Sequence, residues 1–312
     1  MKYLLVILLG AVVVMQASAQ QIPQLSFRHQ NVLLNNPAAA GSSARNDISL
    51  LHRQQWLGFE HAPATSLISY SQTFLGNNGI GGYLISDRTF PTSRFIINAS
   101  YAYIIETEKL SLSFGIAAMV MQYKFKNTDL NYRDPLDPSL SFSADQKWRP
   151  EANAGIMAYN NRFYASFSVS QLLQSGFRPF SSGSEGLVQN TRHFIGSGQY
   201  SFLIKDHSIS PGLYLGYAKS SPLMAEVSVQ YIFRQKISFS LGYRWDDALN
   251  ASIGYRYDRF YLGYSFDLVT SSFRVHTSGS HEIMLSMNIA GNKQNEPMFG
   301  TRAGKTDGLK RN

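Results

Sequence analysis

Most residues of this 312-residue chain that could do chemistry do not stand at the spacing chemistry needs. Gly300-Thr301-Arg302-Ala303-Gly304-Lys305-Thr306 outlines a phosphate-binding loop, but has one residue too few between its glycines. No strand pattern leads into it and too little chain follows for a helix, so phosphate binding is not expected there. Asp129, Asn131, Asp134 and Asp137 crowd one stretch as calcium ligands might, yet Arg133 stands where a ligand is needed and the loop glycine is missing. Solvated turn residues around Pro135 and Pro138 are the better account. The seven histidines are scattered and form no H-E-x-x-H pair, and no G-x-S-x-G occurs. With no cysteine, thiolate metal sites, a thiol nucleophile and disulfides are all excluded. No catalytic set survives, so the chain is expected to be no enzyme and to need no cofactor or metal. The formal charge of +8 contains no Lys/Arg run longer than two, which does not suit a nucleic-acid partner.

The charges that do fall into a pattern lie in segments of strict alternation. Glu226, Arg244, Arg256 and Asp267 each sit on the polar side of a run whose other side is apolar. In 236–244, Ile237, Phe239, Leu241 and Tyr243 oppose Ser238, Ser240, Gly242 and Arg244. In 259–267, Phe260, Leu262, Tyr264 and Phe266 oppose Tyr261, Gly263, Ser265 and Asp267. A helix does not keep period two over eight residues. Such runs fall near 46–56, 62–74, 79–87, 92–104, 109–124, 148–160, 162–172, 189–203, 207–218, 222–234, 236–246, 249–257, 259–268 and 280–290, about fourteen strands in all.

Composition says what solvent these strands meet. Charged residues are 15% of the chain against about 25% in ordinary domains. Aromatics reach 13%, serine is abundant at 39 residues, and mean hydropathy is only -0.17. One apolar face in lipid and one polar face around a lumen gives this mixture, as in an outer-membrane barrel. The fold class expected is all-β: a transmembrane antiparallel up-and-down β-barrel of outer-membrane type. A secreted all-β domain is the competitor. Inward charges then brace the wall or line a selective path. Small inward serines and glycines leave either a narrow lumen or room for an inserted plug.

The ends divide the chain further. Residues 1–19 carry Lys2, an apolar stretch from Leu4 to Met15 and Ala17-Ser18-Ala19, the pattern of a cleaved signal peptide; losing Lys2 takes the charge from +8 to +7. Residues 20–45 are expected as a periplasmic N-terminal segment, 46–290 as the outer-membrane barrel, and 291–312 as a flexible basic periplasmic tail. Connections after even-numbered strands are short, whereas 125–147, 173–188 and 269–279, after odd-numbered strands, are long. Short periplasmic turns and longer outer loops give that asymmetry. Phe125, Tyr132, Trp148, Phe177 and Phe180, with Arg133 and Arg178, are the candidate anchors for a partner at the outer loops, since aromatic rings and arginine supply binding hot spots.

Asn36-Pro37-Ala38 followed by Gly41, then Arg53, Gln55-Trp56 and Gly58, then Ala62-Pro63 and Thr65 form an ordered set. Gly79-Ile80-Gly81 with Asp87, Tyr101-Ala102-Tyr103, Lys109–Leu112 with Gly115, Pro150, Asn153, Gly155 and Tyr159 extend it. Gly263–Asp267 and Ser280-His281-Glu282 close it. Together these resemble the PorP/SprF family of type IX secretion outer-membrane proteins over about residues 22–290; Ala39 stands where the family often has an aromatic. The resemblance implies a role in type IX secretion or gliding motility, in which a large adhesin-type substrate reaches and stays on the cell surface. It implies as partners outer-membrane lipid, a secreted surface protein with a C-terminal sorting domain, and a periplasmic peptidoglycan-binding protein of the machine. It transfers no catalytic residue. The alternative function is a porin-like diffusion channel for small solutes.

Overall fold

The computed structural model describes residues 23–42, 47–74, 76–125, 147–177, 188–219 and 221–289. Fourteen antiparallel staves close into a barrel. They are β1 (Asp47–Gln54), β2 (Ala64–Phe74), β3 (Asn78–Thr89), β4 (Thr92–Glu106), β5 (Ser111–Phe125), β6 (Lys147–Tyr159), β7 (Phe163–Ser170), β8 (His193–Tyr200, continued by Phe202–Ile204), β9 (His207–Ala218), β10 (Met224–Phe233), β11 (Ile237–Arg244), β12 (Ala248–Tyr257), β13 (Phe260–Val269) and β14 (Ser280–Asn288). Each pairs with its neighbours in chain order, and β1 pairs with β14 to close the ring, with Asp47 opposite Asn288 and Gln54 opposite His281. Closure leaves no unpaired edge, the condition a sheet must meet to stand in lipid. No described helix is long and apolar enough to cross a membrane, which says nothing against a barrel.

The even-to-odd turns are residues 75–77, 107–110, 160–162, 205–206, 234–236 and 258–259, all short. The other rim carries 55–63, 126–146, 171–192 and 270–279. Three connections on that rim, 90–91, 219–223 and 245–247, are short, so long loops occupy part of it only.

Alternation sets what faces out. Ile116, Leu241, Leu262, Val227 and Ile283 are each more than half exposed, while Ser113, Ser168, Ser240 and Ser265 on the opposite faces are buried. The lumen is less uniformly polar than serine and glycine content suggests. Leu51, Leu67, Ile85, Ile96, Met119, Met121 and Met284 also point inward and are buried. Apolar side chains inside a barrel need something to pack on, because water there gains nothing from meeting them.

Residues 23–42 fill that need. The expected periplasmic segment ahead of the barrel is instead inside it, running as three short 3-10 turns: Ser26–His29, Val32–Leu34 and Pro37–Ala39. Leu25 and Phe27 pack into the cluster of Leu51, Met121 and Met284, and Val32, Leu33 and Ala38–Ala40 pack against Ala102, Ile104, Met157 and Tyr159. The physical reason is burial: Leu25, Phe27, Val32 and Leu33 have no strand pairing of their own, and hiding each from water is worth about 1.5–3 kcal/mol.

Candidate functional site

The inserted segment meets the wall in two ways. Its second half lies in a glycine cradle. A Cβ on Gly79 would stand 2.0 Å from the Ala40 carbonyl oxygen, one on Gly115 2.1 Å from the Ala38 nitrogen, and one on Gly155 2.1 Å from Asn36 Oδ1. Only glycine admits backbone this close. Asn36 caps the turn that starts at Pro37 by accepting from Ala38 N at 2.8 Å, and its amide donates to the Ile156 carbonyl at 2.9 Å. Pro37 at the first position of that turn gives up an N–H that would lack a partner there. Gly41 takes φ +67 and leads the chain out past Thr73, whose hydroxyl donates to the Gly41 carbonyl at 3.0 Å.

Its first half is held by charge. Arg53 and Glu282 are opposite one another across the closing β1–β14 seam, 3.2 Å apart, and Arg53 also meets Asp267 at 2.8 Å. Arg244 meets Glu226 at 3.0 Å, Asp247 at 2.8 Å and Asp267 at 3.5 Å. From the segment, Arg28 reaches Glu226 at 3.4 Å and lies 4.3 Å over the Tyr214 ring. These three guanidinium groups face four carboxylates. Backbone N–H groups supply more positive character: Ser26 N and Phe27 N donate to Glu282 at 2.8 and 2.9 Å. The Ser26 hydroxyl donates to Asp267 at 2.6 Å and accepts from Arg53 at 3.0 Å. Arg53, Asp267 and Glu282 are almost wholly buried. Buried charges on this scale need both partners and hydrogen bonds to be tolerated at all, so the wall and the segment specify each other.

The direction of the segment follows from these contacts. Pro23 and Gln24 border a cavity of about 60 Å³ shared with Arg94, Asn153, Ser170 and Gln171, all near the long-loop rim. Gly41, at the other end, accepts no Cβ against Gly79 and sits beside Thr73, near the short-turn rim. The segment therefore crosses the lumen lengthwise.

The long-loop rim is tied down at its roots. Glu151, buried on β6, accepts from Leu173 N, Ser175 N, Ser175 Oγ and Asn190 Nδ2 at 2.8–3.1 Å. Asn153 Oδ1 accepts from Gln171 N at 3.0 Å, and Tyr123 donates to Asn190 at 2.8 Å. Thus both ends of the 171–192 connection are pinned. Loops 55–63 and 270–279 are stitched to each other by Leu57 N to the Gly279 carbonyl at 2.7 Å and Ser278 N to the Leu57 carbonyl at 2.8 Å. Trp56 takes φ 52 and Gly58 φ +91 at the bend, Trp56 N donates to Ser280 Oγ at 3.1 Å, and Pro63 is buried at the re-entry into β2. That stitched rim leaves Leu57, Phe59 and Val275 exposed.

Of the residues singled out from sequence, Asn36, Pro37, Gly41, Arg53, Asp267 and Glu282 converge on the inserted segment. Trp56, Gly58 and Pro63 shape the rim. His281 faces outward, with its ring accepting or donating to Tyr264 OH at 2.7 Å. Glu226, Arg244 and Asp267 do join into one ladder; Arg256 is apart from it, 5.2 Å over the Tyr261 ring toward the short turns. Trp148 is on the outer wall of β6, edge-on to Phe95 at 6.3 Å. Phe125 ends β5 and Phe177 belongs to a two-residue ladder with Val188. Tyr132, Arg133, Arg178 and Phe180 lie outside the described residues, as do residues 1–22, the 129–137 acidic stretch and 291–312. Sequence reasoning missed Ser26, Phe27 and Arg28. The one hint in the sequence is that Leu25, Phe27 and Val32–Leu34 stand without strand period directly before a barrel, which does not say where they go.

Among the described residues no group of His, Asp and Glu could hold a metal ion. Residues 17–287 match a family model described as type IX secretion system membrane protein PorP/SprF. No curated protein matches the sequence. Among solved structures, the chain is similar to Omp33 of Acinetobacter baumannii (7% identity, 79% of this chain and 99% of that one, TM-score 0.47). It is also similar to the CymD monoaromatic hydrocarbon channel (10%, 84% and 92%, TM-score 0.46) and to the KdgM porin (11%, 78% and 98%, TM-score 0.37).

Proposed function

Because the chain belongs to the PorP/SprF family of type IX secretion system membrane proteins, we propose that it is a plugged, non-enzymatic outer-membrane barrel that serves as a surface platform. It supports secretion and anchoring of a large adhesin-type substrate, and through that the gliding motility that depends on it. The observation that carries this reading is the pairing of a lumen filled lengthwise by residues 23–42 with a rim whose loop roots are hydrogen-bonded in place. A diffusion channel needs a free lumen; a platform needs ordered loops. In this reading residues 1–19 are a cleaved signal peptide, the short turns and the tail face the periplasm, and the long loops face out. Phe125, Tyr132, Arg133, Trp148, Phe177, Arg178 and Phe180 contribute to gripping the substrate's C-terminal sorting domain, and the short-turn end meets a periplasmic partner of the machine.

The test is surface proteomics of a strain lacking this protein. The expected result is loss of one large surface protein while other type IX cargo is still exported. Unchanged surface composition would overturn the platform reading.

A further inference from the structure

The short-turn end opens into a vestibule of about 560 Å³ that stops on the inserted segment at Gln30, Asn31 and Ser42. That size falls in the range of small-ligand sites, about 300–1,000 Å³. Its lining holds Arg162, Lys205, Arg234, Lys236 and Arg256 against Asp47 and Asp206. Arg234 is committed to Asp206 at 3.1 Å. The side chains of Arg162, Lys205 and Lys236 have no carboxylate partner among the described residues. Unneutralised cations around one concavity focus a positive potential into it and attract an anion.

The rest of the lining says what kind of anion. The same lining holds the hydroxyls of Ser201, Ser208, Ser210 and Ser238 and the amides of Gln199 and Gln230. Phe163 adds a flat apolar ring. Hydroxyl and amide groups match a polyhydroxylated ligand, rings match the C–H faces of a sugar, and arginine and lysine match carboxylates. β14 ends at this same end, and the sequence beyond it carries Lys293, Arg302, Lys305, Lys310 and Arg311 against Glu296 and Asp307. Its charge has the same sign as the vestibule, so it is the wrong occupant.

We propose that this vestibule binds a short carboxylate-bearing glycan, whose carboxylates meet Arg162, Lys205 and Lys236 and whose hydroxyls meet the serine and glutamine wall. The purified full barrel in nanodiscs is titrated calorimetrically with a tetrasaccharide containing two N-acetylmuramic acids, and with neutral chitotetraose. The acidic sugar is expected to bind at least tenfold more tightly, with affinity falling as salt rises. The combined Arg162→Gln, Lys205→Gln, Lys236→Gln variant is expected to lose at least tenfold; these exposed turn positions are outside the packed lumen, and intact folding is confirmed by circular dichroism. Equal affinity for the two sugars, no binding of either, or undiminished binding by the variant overturns the proposal. So does tighter binding of a Glu-rich hexapeptide, which would make the vestibule a protein-docking mouth. Displacement of the acidic sugar by inorganic phosphate at matching concentration would also overturn it, by showing a site for simple anions only.

Discussion

Replacing Glu282 with alanine should unseat the inserted segment without changing any residue in it. Glu282 is fully buried and accepts two backbone N–H groups from the segment, at 2.8 and 2.9 Å, while balancing Arg53 at 3.2 Å. In Glu282→Ala the Ser26 and Phe27 N–H groups lose their acceptors, at about 1–3 kcal/mol each if they stay buried. Asp267 is then the one carboxylate left to Arg53 among the described residues, and breaking one side of a buried ion pair costs about 3–5 kcal/mol. These figures overlap, because one carboxylate serves both roles, so they do not add and the ion-pair figure is taken as the total. At ~1.4 kcal/mol per decade, 3–5 kcal/mol shifts the seated-to-released equilibrium by about two to three and a half decades.

The chain has no cysteine, which makes a single reporter thiol unambiguous. Val32 is 4% exposed against the wall. In a Val32→Cys background, maleimide labelling should be slow with Glu282 present and about 10²–10³-fold faster in Glu282→Ala, provided labelling tracks the released fraction. Arg234→Gln, which breaks an ion pair more than half exposed, is the control and should leave the rate unchanged, since such pairs are worth about 0–1 kcal/mol. Fast labelling of the parent, or no acceleration by Glu282→Ala, would refute the reasoning.

Other perturbations probe separate parts of the account. Gly115→Val places a branched side chain where a Cβ alone would be 2.1 Å from the Ala38 nitrogen; it should accelerate the same labelling while leaving the strand content by circular dichroism intact. Ile116 is 64% exposed on the outer wall, so Ile116→Arg should destabilise the barrel in lipid by up to about 2–4 kcal/mol, read as a shift in its chemical unfolding midpoint. An epitope inserted after residue 20 should be reached from the long-loop side of the membrane and one at residue 312 from the opposite side, because Pro23 lies near the long-loop rim while β14 ends at the short turns. Antibody access to both from one side would contradict the lengthwise path.

The barrel itself was legible in the residues. Runs such as Ile237, Phe239, Leu241 and Tyr243 against Ser238, Ser240, Gly242 and Arg244 report the two solvents directly, because side-chain direction in a strand has period two. The one-sided loop lengths were legible for the same reason: strand ends are marked by where alternation stops. The inserted segment was not. Short 3-10 turns have no long periodicity, and what holds them is distant in sequence: Ser26 bonds Glu282 and Asn36 bonds Ile156. Gly79, Gly115 and Gly155 read as generic small lumen residues until the backbone they admit is known. Likewise Arg53, Asp267 and Glu282 stood out as an ordered set, while their shared purpose depends on the β1–β14 closure that brings the barrel's first and last strands together.

Single-channel recording in planar bilayers tests the sealed lumen most directly. The full-length barrel should give no stable conductance step; a chain lacking residues 23–42 should give one, and Glu282→Ala should flicker between the two states. A steady open step from the unaltered barrel would contradict the account.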